Sequence, residues 1–211
     1  KMKKKLIFFL ISIILFPTCT KEIYGPKACF NENVLPIFIS NCAMSGCHNP
    51  KDKKAGYDLT TYEGIMNGVK PNHPLLSEVY KVIRGNSPSM PEKPYPKLNA
   101  KDVSIIKLWI NMGAQNTSNC GNCDTVNFTY TSRVKHIMNT WCTGCHNPSS
   151  AGGGFDLSTY NGVAVSVANN KLLGSMKHMA GFIPMPQGAD QIQTCDINAI
   201  EKWIKAGFLN N

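Results

Sequence analysis

Apolar positions recur at helical spacing in several stretches of the chain, and no stretch alternates strongly enough for a sheet. In CFNENVLPIFISNC (29–42), Phe30, Val34, Ile37 and Phe38 share one helical face, and Pro36 makes the helix start or kink there. YTSRVKHIMNTWC (130–142) places Val134, Ile137, Met138 and Trp141 in the same way. YEGIMNGV (62–69) and YNGVAVSVA (160–168) predict short helices. The clearest helix is NAKDVSIIKLWINMG (99–113): Asn99 caps it, Asp102 sits in the first turn, Val103, Ile106, Leu108 and Ile110 follow, and Gly113 stops it. The expected fold class is all-α. Before these stretches stands a lysine-rich start and an apolar run from Leu6 to Phe16. That run is too short to span a bilayer and has the form of an export signal.

The pattern occurs twice. His48 and His146 lie 98 positions apart, and the same offset carries AGYDLTTYEGI (55–65) onto GGFDLSTYNGV (153–163). Gly56, Asp58, Leu59, Thr61, Tyr62 and Gly64 meet Gly154, Asp156, Leu157, Thr159, Tyr160 and Gly162. Met90 in SMP meets Met185 in PMP, and IIKLWINMGA (105–114) meets AIEKWIKAGF (199–208). A period this long is domain duplication, because solenoid repeats are shorter. The expected organisation is a signal at 1–18, a tether at 19–27, and units at 28–119 and 120–211. They meet in QNTSNCGNCDTVNF (115–128), which has the composition of a linker.

Each unit carries one cysteine pair followed directly by histidine: NCAMSGCHNP (41–50) and WCTGCHNP (141–148). Two thiols and an adjacent imidazole are what covalent haem attachment requires, one thiol per vinyl group and the histidine for the iron. Cys142, Cys145 and His146 match the CxxCH spacing. Cys42, Cys47 and His48 have a wider loop between the thiols, and a plain Cys42–Cys47 disulfide is the competing reading. A zinc site needs four ligands, usually two such pairs. Here each pair belongs to its own repeat. A redox dithiol would want a βαβ context, which is absent.

With those motifs in place, the chain resembles exported dihaem c-type cytochromes built of two tandem class I-like cytochrome c domains, as in cytochrome c lipoproteins of Bacteroidetes and Planctomycete type. CFNENVLPIFISNCAMSGCHNP, GYDLTTY, SMP and WINMGA follow that layout in order. The resemblance implies two covalent haem c groups per chain and electron transfer without catalysis. Its partners would be redox proteins of the cell envelope. It also implies a methionine as sixth iron ligand, a soft neutral donor that raises the reduction potential. Met90 and Met185 occupy matching places for that role, each beside a proline that stiffens its loop. Gap-filling core methionine is the bland alternative. His73 and His178, which are not equivalent in the repeat, are rival ligands, as is Met179; His136 is expected to face solvent. Met44, Met66, Met112, Met138 and Met176 are read as packing residues, and Trp109 and Trp203 as core. Tyr62, Tyr160, Arg84 and Lys177 are possible haem-propionate partners, although GxDLxTY also reads as a turn and helix cap. A dihaem peroxidase, a small-molecule oxidase or a haem subunit of a larger complex are the rival functions. An enzyme would need an open iron face.

Nine cysteines are present. Cys19, at the end of the apolar run in LFPTC, resembles a lipoprotein acceptor and would anchor the exported chain to a membrane, in the periplasm or at the cell surface. Cys29, Cys120, Cys123 and Cys195 remain for disulfides in an oxidising compartment. Pairing Cys29 with Cys120 ties the start of the first unit to the residue just past its end, Cys123 with Cys195 lies within the second, and a local Cys120–Cys123 bond competes. The formal charge of +9 falls to +5 without Lys1, Lys3, Lys4 and Lys5. No basic stripe with interleaved aromatics accompanies it, so nucleic acid is not an expected partner. The anchor is testable: Cys19→Ser should release the chain from membranes or leave it unprocessed. A processed form still in the membrane fraction would remove the lipid assignment.

Overall fold

Each opening helix starts with a single π-helical turn, Phe30–Val34 and Tyr130–Val134, closed by Leu35 N to Phe30 O and Lys135 N to Tyr130 O. Pro36 is not the cause, because the second copy has His136 at the matching place and does the same. The turns run into α1 (Leu35–Asn41) and α5 (Lys135–Trp141). The computed structural model describes residues 28–211 apart from 119, 122, 123, 125 and 151. The signal at 1–18, the tether at 19–27 with Cys19, and Cys123 lie outside the described residues.

The other helices are α2 (Tyr62–Met66), α3 (Glu78–Lys81), α4 (Ala100–Asn111), α6 (Tyr160–Ala168), α7 (Lys171–Met176) and α8 (Thr194–Lys205). Among the described residues no strand occurs. The fold is all-α. α4 begins as its sequence predicts, with the Asn99 side chain accepting from Asp102 N at 2.9 Å. α3 and α7 are short elements that hydrophobic spacing had not marked.

The GxDLxTYxG stretches give the same local structure twice. Asp58 Oδ1 accepts from Thr60 N and Oγ1 at 3.1 and 2.6 Å, and Asp156 Oδ1 accepts from Ser158 N and Oγ at 2.9 and 2.6 Å. Thr61 and Thr159 then cap α2 and α6, accepting from Gly64 N and Gly162 N. The glycines are obligatory. A Cβ at Gly64 would lie 1.9 Å from Asp58 O, and one at Gly162 would lie 1.6 Å from Asp156 O.

The tyrosine of each stretch reaches the far end of the last helix. Tyr62 OH donates to Ala114 O at 2.8 Å, and Tyr160 OH donates to Phe208 O at 3.0 Å. These hydroxyls are therefore spent on backbone carbonyls, and the turn-and-cap reading describes them better than a propionate contact. Each tyrosine meets an aromatic of the opening turn edge-on, Phe30–Tyr62 and Tyr130–Tyr160, both with centroids 5.1 Å apart. Trp109 and Trp203 complete the two aromatic groups and donate their indole N–H to Gln115 O and Leu209 O.

The buried apolar residues form two clusters. One gathers Phe30, Val34, Phe38, Ile65, Ile106, Trp109 and Ile110, the other Val134, Ile137, Met138, Val163, Ile200 and Trp203. Chain order does not separate them cleanly: Ile39 of α1 is buried in the second cluster, and Leu35 packs against both. Met138 and Met176 are core residues as expected, whereas Met112 is half exposed. In each repeat the opening turn is bonded to the segment that follows the last helix. Phe30 N donates to Thr117 Oγ1 and Tyr130 N to Asn211 Oδ1, both at 3.0 Å. A Cys29–Cys120 disulfide, with Cα atoms 5.9 Å apart, reinforces the first closure. Cys195 is also disulfide-bonded.

The glycine requirement gives a stability prediction. Gly64→Ala and Gly162→Ala should each destabilise the protein by at least the roughly 1–3 kcal/mol typical of overpacking. The check is the guanidinium midpoint at unchanged m-value. No change in midpoint would mean that the loop yields where the geometry says it cannot.

Candidate functional site

Both attachment motifs leave their helix in the same way. Cys42 N and Ala43 N donate to Phe38 O; Cys142 N and Thr143 N donate to Met138 O. The histidine amide then returns to the first cysteine: His48 N to Cys42 O at 3.0 Å and His146 N to Cys142 O at 2.9 Å. The wider spacing of the first motif therefore leaves the relation of Cys42 to His48 as it is between Cys142 and His146. The additional residues form a turn in which Cys47 N reaches Met44 O, and Gly46, at φ +76°, donates its amide to Asp52 Oδ2 at 2.6 Å.

The histidine carbonyls are fixed as well. Leu59 N donates to His48 O at 2.8 Å and Leu157 N to His146 O at 2.9 Å. This ties GxDLxTY to the cysteine–histidine motif. The following asparagine clamps the loop from below. Asn49 Nδ2 donates to Met44 O, and its Oδ1 accepts from Lys51 N and Asp52 N. Asn147 does the same with Thr143 O, Ser149 N and Ser150 N. Sequence reading missed this clamp, although the repeated CHNP displayed it.

Around the first motif a cavity of about 390 Å³ brings together Cys42, Cys47, His48 and Met90. Its size falls in the roughly 300–1,000 Å³ range of ordinary ligand sites. Phe38, Leu59, Val79, Val82 and Ile83 supply an apolar wall. His48 Nδ1 lies 2.9 Å from Lys54 O. A carbonyl only accepts, so Nδ1 carries the proton and Nε2 keeps a lone pair for a metal. Met90 is positioned by Met90 N to Val82 O at 3.0 Å. Lys54 also pairs with Glu92 at 2.6 Å across the rim. That contact holds the Glu92 carboxyl below its usual range and the Lys54 ammonium above it.

The four motif cysteines are free thiols, so the alternative Cys42–Cys47 disulfide is not formed. Burial pushes the Cys42 and Cys142 thiols up to about 12, with Cys47 and Cys145 respectively adding to the rise. Burial also raises Cys145, and the next contribution comes from Cys47 of the other motif.

In the second set, Met185 N donates to Ser175 O at 3.0 Å, which parallels the Met90 bond. His178 Nε2 lies 3.1 Å from Met185 O, so this histidine braces the methionine loop. The Nδ1 atom of His146 is buried with no hydrogen-bond partner, close to Gly152. The rival ligands fare differently: His73 and His136 are exposed and Met179 is half exposed. Lys177 is paired with Glu201 at 2.9 Å, and Arg84 is exposed. Next to Cys142, the buried Asp196 pairs with Arg133 at 2.5 Å and accepts from Trp141 Nε1 at 3.2 Å. This network is invisible in the sequence, because its residues are far apart in the chain and have no counterpart trio in the first repeat.

The residues fit a covalent haem. They provide two thiols, an imidazole with one nitrogen occupied and the other available, a thioether and an apolar wall, all around one cavity. No curated protein and no solved structure matches the chain. A family model described as planctomycete cytochrome C matches residues 45–93, the segment that runs from the first motif past Met90. That match supports a cytochrome c-like family, with the covalent haem c and electron-transfer role that go with it.

Proposed function

We propose that the protein is an exported dihaem c-type cytochrome that carries electrons in the cell envelope. Its two tandem units meet just after Cys120, whose disulfide to Cys29 draws it into the first, and each holds one covalent haem c. The observation that carries this reading is the cavity shared by Cys42, Cys47, His48 and Met90, of which Cys47, His48 and Met90 lie in the segment that matches the cytochrome family. The matched hydrogen bonds around Cys142, Cys145, His146 and Met185 extend it to the second unit.

In this reading Cys42 and Cys47 form the thioether links of the first unit, and Cys142 and Cys145 those of the second. His48 and His146 would each give the iron a nitrogen ligand, and Met90 and Met185 a sulfur ligand. When bound, haem c supplies the reversible one-electron step. The chain's part would be to orient His48 and Met90 and to keep the centre dry. Lys54 O holds His48 Nδ1, Val82 O holds the Met90 amide, and the Lys54 ammonium spans the rim to Glu92. With both methionines as ligands neither iron would be open, which favours a carrier over an enzyme. Its partners are envelope redox proteins. Lipid on Cys19 anchors it to a bacterial membrane, and Cys123–Cys195 closes the second unit as Cys29–Cys120 closes the first.

Two outcomes test the reading. Intact mass after denaturation should exceed that of the apoprotein by two haem groups; a single adduct would mean that the CxxxxCH motif is empty. Separately, Met90→Ala or Met185→Ala should open one iron, so that the reduced protein binds carbon monoxide at that haem. Its potential should fall by on the order of 100 mV, within the roughly 0.8 V range that axial ligands set. Full carbon monoxide binding by the unmodified protein would instead favour a peroxidase-like enzyme.

A further inference from the structure

The two attachment segments touch. Helices α1 and α5, equivalent in the repeat, pack together, and Ser40 Oγ donates to Thr140 O at 2.8 Å. Each of these residues lies just before the first cysteine of its motif. Gly144, inside the second motif, sits directly on this contact: a Cβ there would lie 2.0 Å from Ser40 O and 2.5 Å from Ser40 Cα. Its neighbours are backbone atoms, which cannot swing aside as a side chain can.

A second seat lies on the other side. Gly188, three residues after Met185, is at φ +76°, and a Cβ on it would come 2.5 Å from Pro50 Cγ. Pro50 closes the CHNP stretch of the first motif. The first attachment segment is thus held between the second attachment motif and the second methionine loop. The glycine at the matching place in the first motif, Gly46, has nothing near its open side and serves only its own turn. The close fit at Gly144 is therefore a property of the junction and not of the motif.

We propose that the Gly144–Ser40 and Gly188–Pro50 seats lock the two haem-attachment segments into one rigid body, so that the two haems form an electronically coupled pair. The inference rests on the two-haem reading. It adds that the units do not act as independent carriers joined by a linker. Burial of Ile39 in the second core agrees with it.

The test uses the full exported protein and two readouts: haem number by intact mass, and the Soret circular dichroism of the oxidised protein. The unmodified protein should carry two haems and show a two-signed Soret couplet, the signature of neighbouring chromophores at fixed geometry. Gly144→Ala should keep both haems and lose most of the couplet. If that variant fails to fold or to load, Gly188→Ala decides. It should weaken the couplet, and Pro50→Ala in the same chain, which removes the opposing ring, should restore part of it. Two haems without a couplet would overturn the coupled pair and leave the two-haem reading standing. So would a couplet unchanged in Gly144→Ala with both haems bound, or one unchanged in Gly188→Ala if that variant has to decide. A single haem in the unmodified protein would remove both ideas.

Discussion

The structure hangs on how the backbone of one residue, the histidine after the second cysteine, is held. Its amide donates to the carbonyl of the first cysteine, and its carbonyl accepts from the leucine of GxDLxTY. With both polar groups satisfied inside the protein, the residue has little freedom left. The ring follows, because Lys54 O takes Nδ1 in the first copy. From this point the cysteine loop extends one way and the capped helix the other. The same helix carries the tyrosine that ties back to the terminal helix. A small number of backbone hydrogen bonds therefore connects the reactive side chains to the whole of each core.

Much of this was legible in the sequence because it is written twice. Duplication separated residues that matter jointly from those that merely fit one place, and it marked both motifs, the Met-Pro pairs, the terminal helices and the DLxTY stretch. The terminal helix was readable for a second reason, since Asn99 and Asp102 act locally and need no partner from elsewhere. The meaning of some marked residues was less accessible. Gly64 and Gly162 align in the sequence, but only the path of the backbone reveals that a carbonyl occupies the space of the missing Cβ. Tyr62 and Tyr160 align too, and their partners lie 52 and 48 residues away.

What the sequence could not display is whatever breaks the repeat. Arg133, Trp141 and Asp196 meet in the second half only, and Lys54 pairs with Glu92 in the first only. Comparing the two copies discards such residues by construction. The junction is hidden for a subtler reason: Gly46 and Gly144 align, yet the first turns a loop and the second admits a neighbouring backbone. One letter at one place in the pattern serves two separate physical demands.

The closing bonds between Phe30 and Thr117, and between Tyr130 and Asn211, place the start and finish of each repeat side by side. A repeat whose ends adjoin can be copied in tandem with only a short connector, and the place that must adapt is the junction, where Ile39 enters the second core. This favours growth by gene duplication over growth by insertion, since an added copy brings its own closure with it. The same geometry suits a repeat to circular permutation, in which residues that already adjoin are linked and new ends are opened in a surface turn.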